Sequence, residues 1–131
     1  MYSQQVLIHD WTQEVLHKAS LDQRLIIHED AGKVALHMIE EAMEVCLALG
    51  IDDLKVMEFA SLAWARQRMK LQEEGPKEDV YQELADLNII NMRVCNIMDY
   101  DLERITMERH QYNVNSNWDV KEGGDFRRIK K

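Results

Sequence analysis

The sequence predicts an all-α fold, a helical bundle of about four to five helices completed by oligomerisation. Three observations carry this. The 131 residues include one proline and five glycines, and no stretch alternates apolar and polar residues as a half-buried strand would. Long segments place apolar residues three and four apart, between recognisable caps. The apolar stripes are also wide for so short a chain, so a monomer would leave some of them uncovered.

The first helix is expected from about Ser3 to Lys18, with Val6, Leu7, Trp11, Val15 and Leu16 on its stripe. Ser20 then caps a second helix, with Gln23 completing a capping box. That helix runs from Leu21 to Leu49 and ends at Gly50, with Gly32 as a point of kinking or division. Asp52 caps a third helix reaching Glu74, and Gly75-Pro76 breaks the chain. A fourth helix follows from about Lys77 to Met98. Asp101 caps a fifth that ends near Tyr112. Residues 113–131 read as an irregular tail, ordered only by a ligand or a partner subunit. No repeat or linker divides residues 1–131 into more than a single domain.

The formal charge of −8 argues against a general nucleic-acid binder, which would present a basic face. An acidic protein that handles phosphates needs cations to mediate the contact. Cys46 and Cys95 lie in apolar helical runs without C-x-x-C spacing, as buried free thiols of a reducing compartment would. Met1 is followed by polar residues, so no signal peptide is visible. No apolar run reaches the roughly 18 uncharged residues of a membrane span. The expected location is cytoplasmic, without a membrane partner.

Two of the most apolar segments carry acids. HMIEEAMEVCLALG contains Glu40, Glu41 and Glu44, and EDVYQELADLNIINMRVC contains Glu83 and Asp86. Residues three and four apart share a helix face, so Glu41 projects with Glu44, and Glu83 with Asp86. Leu36, Ile39, Met43 and Leu47 surround the first group; Leu84, Leu87, Ile90 and Val94 surround the second. A carboxylate at the edge of an interior must be neutralised by a proton, a base or a metal. Basic residues are scarce in both runs, which makes a divalent cation the economical neutraliser, and hard oxygen ligands suit Mg²⁺ or Mn²⁺. The plain alternative is a solvated acidic stripe on each amphipathic helix. Two further acid pairs at this spacing, Asp119 with Glu122 and Glu122 with Asp125, fall in the glycine-containing tail, where no helix would aim them.

The two acid motifs together resemble those of the all-α nucleoside triphosphate pyrophosphohydrolases of the MazG-like superfamily, which includes MazG, dimeric dUTPases and phosphoribosyl-ATP pyrophosphohydrolases. The family pattern, E-x-x-E on one helix and E-x-x-D on a later one, reads here as Glu41-Ala-Met-Glu44 and Glu83-Leu-Ala-Asp86, with Glu40 completing an acidic doublet. IMDYDLERITMERHQYNVN is similar to the family's later segment and its K-x-x-x-N element, with Arg109 in place of lysine and Asn113 as the asparagine. The arginine common shortly after that asparagine is absent, since Ser116 is there; Lys121, Arg127 and Arg128 are the candidate replacements. The 38 residues between Glu44 and Glu83 leave room for an extra helix at 52–74.

The resemblance implies Mg²⁺-dependent cleavage between the α and β phosphates of a nucleoside triphosphate, giving a monophosphate and pyrophosphate. It implies Glu41, Glu44, Glu83 and Asp86 as metal ligands, with Glu40 and Glu41 as the catalytic candidates, Glu40 for water activation or a role outside the ligand set. It implies a homo-dimer or homo-tetramer. Lys33, His37, Asn91, Arg109 and Asn113 are the candidate substrate-binding residues. Asn91 lies on the apolar stripe of its helix, where it would need a hydrogen-bond partner. His37, four residues before Glu41, fits either a metal or phosphate site or a partly exposed structural role. Trp64, Arg66, Arg68 and Lys70 form an aromatic-basic cluster, read as a solvated face beside a core tryptophan. Phosphoribosyl-ATP hydrolysis and a non-catalytic regulatory or scaffold oligomer are the competing functions.

Overall fold

A computed structural model describes residues 3–76 and 79–129. Five helices account for most of it: α1 (Ser3–Gln23), α2 (Ala31–Ala48), α3 (Asp53–Glu74), α4 (Val80–Met98) and α5 (Leu102–Val114). Two short strands follow, β1 (Trp118–Val120) and β2 (Phe126–Arg128), with a 3-10 turn at Glu122–Gly124 between them. The fold is all-α with a small hairpin appended. No helix among the described residues is long and apolar enough to cross a membrane.

Most caps are where the sequence places them. The Asp52 carboxylate accepts from Leu54 N–H at 2.9 Å, and that of Asp101 from Arg104 N–H at 3.2 Å. Gly50, at φ 84°, ends α2: its N–H reaches Leu47 O and Ile51 N–H reaches Cys46 O, the paired bonds of a Schellman cap. The expected start of the fourth helix at Lys77 lies outside the described residues, and the described helix begins at Val80.

The boundary between α1 and α2 differs from expectation. Ser20 does not open a helix; α1 runs through it to Gln23. Arg24 then turns left-handed at φ 54°, with Arg24 N–H on Leu21 O and Leu25 N–H on Ser20 O. The Ser20 hydroxyl accepts from Ile27 N–H at 3.0 Å and so supports the turn. The true cap is Asp30, whose Oδ1 accepts from Gly32 and Lys33 N–H at 2.9 and 3.2 Å. Gly32 therefore sits in the first turn of α2 and does not kink a longer helix.

The tail is a second correction. Far from irregular, it folds into an antiparallel hairpin that pairs Trp118 with Arg128 and Val120 with Phe126. Gly123 and Gly124, at φ 83° and 85°, allow the reversal, a conformation that costs a side-chain-bearing residue about 1–2 kcal/mol. The hairpin is anchored outside itself. Asp30 N–H donates to Gly123 O at 2.8 Å, and Gln23 Nε2 to Val120 O at 3.2 Å.

The chain divides into two compact units, one formed by residues up to Met38 and from Cys95 onward, the other by Ile39–Val94. The first has a core. Leu16, Cys95 and Val120 are buried, and Trp11 meets His110, Trp118 and Phe126 edge-to-face at 5.6–5.7 Å. His110 is thus a half-buried packing residue. The second unit has no buried side chain among its described residues. Leu54, Phe59, Leu62, Trp64, Leu84 and Ile90 are all exposed, so Trp64 is not a core residue of the single chain. Both cysteines are free, but Cys46 is only half-buried.

The positive-φ glycines make a graded test. A Cβ at Gly50 would meet nothing within 4 Å, whereas one at Gly124 would lie 3.2 Å from the backbone Cα of Glu29. At Gly123 the obstacle is the Lys33 side chain, from its Cβ to its Cδ. Gly50→Ala is expected to cost about 1 kcal/mol from φ alone. Gly124→Ala is expected to cost more, about 2–3 kcal/mol, because backbone must shift as well. Urea unfolding of the two variants checks this order.

Candidate functional site

On α2, Glu40, Glu41 and Glu44 are all exposed, as are Glu83, Asp86 and Asn91 on α4. Helical spacing puts Glu41 with Glu44, and Glu83 with Asp86, on common faces. Glu44, Glu83 and Asp86 form no ion pair with a described residue. Exposed apolar residues, Met43 and Leu47 on α2 and Leu84 and Leu87 on α4, flank them. The chemistry of the donor set suits Mg²⁺ or Mn²⁺, which favour carboxylate oxygens. No group of three His, Cys, Asp or Glu stands close enough to hold an ion among the described residues. The single chain therefore presents the acids as pairs along each helix. Asn91 does not need the protein partner that a buried asparagine would, since water reaches it.

A second cluster joins the hairpin to the start of α2. The Asp125 carboxylate, 17% exposed, is bound on both oxygens: His37 Nδ1 lies 2.7 Å from Oδ1, and Arg127 Nε and Nη2 lie 3.1 and 3.0 Å from Oδ2. An ionised carboxylate only accepts, so Nδ1 of His37 carries the hydrogen. Two cationic or donating partners make this a charge-assisted contact in a partly desolvated place. Lys33 Nζ lies 3.8 Å from Glu122, a looser and mostly solvated pair. His37 and Lys33 thus both contact the hairpin in this structure.

The third cluster contains the last two predicted residues. Arg109 and Tyr112, three apart on α5, meet with the guanidinium 4.4 Å from the ring centroid. Arg128, from β2, lies over the same ring at 4.8 Å and over Trp118 at 5.0 Å. Its Nη2 donates to Asn113 Oδ1 at 2.6 Å. Trp118 Nε1 donates to Asn113 O at 3.0 Å, so both ends of Asn113 are held by the hairpin.

The structure brings Arg109 and Asn113 together, and Lys33 and His37 separately against the hairpin. Sequence reasoning missed Asp125 and Tyr112 and left Arg128 as one of three candidates. The one signal for the hairpin was the turn: D-V-K-E-G-G-D-F-R has a Gly-Gly reversal. No protein-family model, curated protein or solved structure matches the chain.

Proposed function

We propose that the protein is a Mg²⁺-dependent nucleoside triphosphate pyrophosphohydrolase. One observation carries the reading: two carboxylate pairs, Glu41 with Glu44 and Glu83 with Asp86, stand on two long helices amid apolar residues that the chain itself leaves uncovered. Acids on an uncovered apolar face become interior acids once the face is closed, and interior acids demand a counter-charge. The four are the residues that would hold Mg²⁺, which neutralises the phosphates and helps to generate the nucleophile. Glu40 is the residue that would take the proton of an attacking water, or act from outside the ligand set. Water oxygen bonds to the α phosphorus, the bridge to the β phosphate breaks, and pyrophosphate leaves with the electron pair.

The closing partner in this reading is another copy of the same chain, as a homo-dimer or homo-tetramer. The uncovered apolar residues, among them Leu54, Phe59, Leu62 and Trp64 on α3 and Leu84 and Ile90 on α4, are the surface such a partner would cover.

The test is a screen of canonical and modified nucleoside triphosphates, with phosphoribosyl-ATP included, reading pyrophosphate. Turnover is expected with Mg²⁺ or Mn²⁺ and not with Ca²⁺, whose larger and looser coordination does not hold a phosphate in strict geometry. Release of orthophosphate in place of pyrophosphate, or undiminished turnover with a chelator present, would overturn the proposal.

A further inference from the structure

A cleft at the end of α1 involves neither the acid pairs nor the hairpin. It encloses about 500 Å³, a volume typical of small-molecule sites. Buried Leu16 and half-buried Ile27 give it apolar walls. His17, Arg24 and His28 line it too, and no carboxylate does among the described residues, in a chain with 24 acids and a net charge of −8. The nearby acids Glu29, Asp30 and Glu122 line a second cleft instead, which shares only residues 25–28 with the first. The side chains of His17, Arg24 and His28 make no hydrogen bond or ion pair with a described residue. The backbone supplies an independent observation. Arg24 N–H on Leu21 O at 3.3 Å and Leu25 N–H on Ser20 O at 3.0 Å close α1 as a Schellman cap, with Arg24 in its left-handed position at φ 54°. Glycine takes that position at least cost, as Gly50 does at the end of α2. An arginine held against the backbone preference, without an ion pair in the chain and on the wall of a cleft, points to a ligand.

We propose that His17, Arg24 and His28 form a binding site for a small organic carboxylate with an apolar body. The guanidinium fork matches a carboxylate with two parallel N–H bonds. Each imidazole has at least one N–H to donate, whatever its charge. Leu16 and Ile27 take the hydrocarbon part, and the exposed Leu25 closes over it. The Ser20 hydroxyl, accepting from Ile27 N–H at 3.0 Å, ties the returning loop to the helix and keeps the cleft shaped before a ligand arrives. Arg24 is the one permanent charge of the three, so it balances a monoanion. A dianion would stand undercompensated on a chain of net charge −8. The site is separate from the acid pairs, so it does not rest on the proposed function.

The experiment titrates octanoate, and octanol as its uncharged counterpart, into the full-length protein, followed by calorimetry and by the NMR ring resonances of His17 and His28. Octanoate is expected to shift both rings saturably, and octanol to bind about tenfold more weakly. Arg24→Gly is expected to weaken octanoate binding about tenfold while the melting temperature stays level or rises, because glycine suits the left-handed turn. Arg24→Lys, which keeps the charge and loses the fork, is expected to fall between the two. Octanoate that leaves both rings unshifted, octanol that binds as tightly, or Arg24→Gly that binds like wild type would each overturn the site. So would a loss of binding that merely follows a lowered melting temperature, since Arg24 would then serve the turn and not a ligand.

Discussion

Glu41→Gln and Glu83→Gln are each expected to lower pyrophosphate release by orders of magnitude while leaving the metal-free protein as stable as wild type or slightly more so. The two effects have one origin. Like charges three apart on a helix oppose folding by about 0.2–0.5 kcal/mol, so removing one relieves the pair. With Mg²⁺ the sign reverses. A ligand that binds only the native state stabilises it by mass action, about 2.7 kcal/mol at a concentration 100 times its Kd. Loss of one carboxylate weakens the ion and shrinks that increment, and the positioned cation that catalysis needs goes with it. If the acids are a solvated stripe, each change stays within about 0.5 kcal/mol and Mg²⁺ affects neither protein. Melting temperatures of wild type and both variants, with chelator and with Mg²⁺, separate the outcomes. Equal Mg²⁺ responses in all three would mean that the acids hold no metal.

How far the sequence could be read followed the range of the interactions. Asp52, Asp101 and Gly50 act on residues within one helical turn, so their role is written locally and the structure keeps it. Ser20 failed because a capping box is a local pattern that a better local competitor can displace: Asp30 offers the same cap, and the left-handed turn at Arg24 ends α1 before it. The hairpin was harder to read, since strands of three residues carry too little alternation, and its anchors at Gln23 and Asp30 lie about a hundred residues away. In the candidate site, the acid pairs are legible as spacing. Convergence of the two pairs would depend on tertiary packing, which spacing does not encode. Arg128 meets Asn113 across fifteen residues only because β1 and β2 pair.

The same limit leads to the largest expected effect on stability, which concerns the unit formed by Ile39–Val94. Without a fully buried side chain among its described residues, it has only a weak hydrophobic term of its own to oppose the backbone entropy of its helices. Burying each large apolar side chain would contribute about 1.5–3 kcal/mol, and in the proposed oligomer a second copy of the chain would supply the covering faces. Folding and association are then one equilibrium, and the melting temperature should rise with protein concentration. Leu62→Asp and Ile90→Asp make the inference specific, on α3 and α4 respectively. Leu62 is 53% exposed and Ile90 49% exposed in the single chain. Were those exposures the working state, an acid at either place would change stability by no more than about 0.5 kcal/mol. Covered by a partner, an unpaired carboxylate there costs several kcal/mol and should dissociate the assembly and melt this unit's helices together. Sedimentation and far-UV circular dichroism across a dilution series read both consequences. A folded monomer at micromolar concentration, with a concentration-independent melting temperature and two harmless aspartates, would show that the second unit stands without a partner.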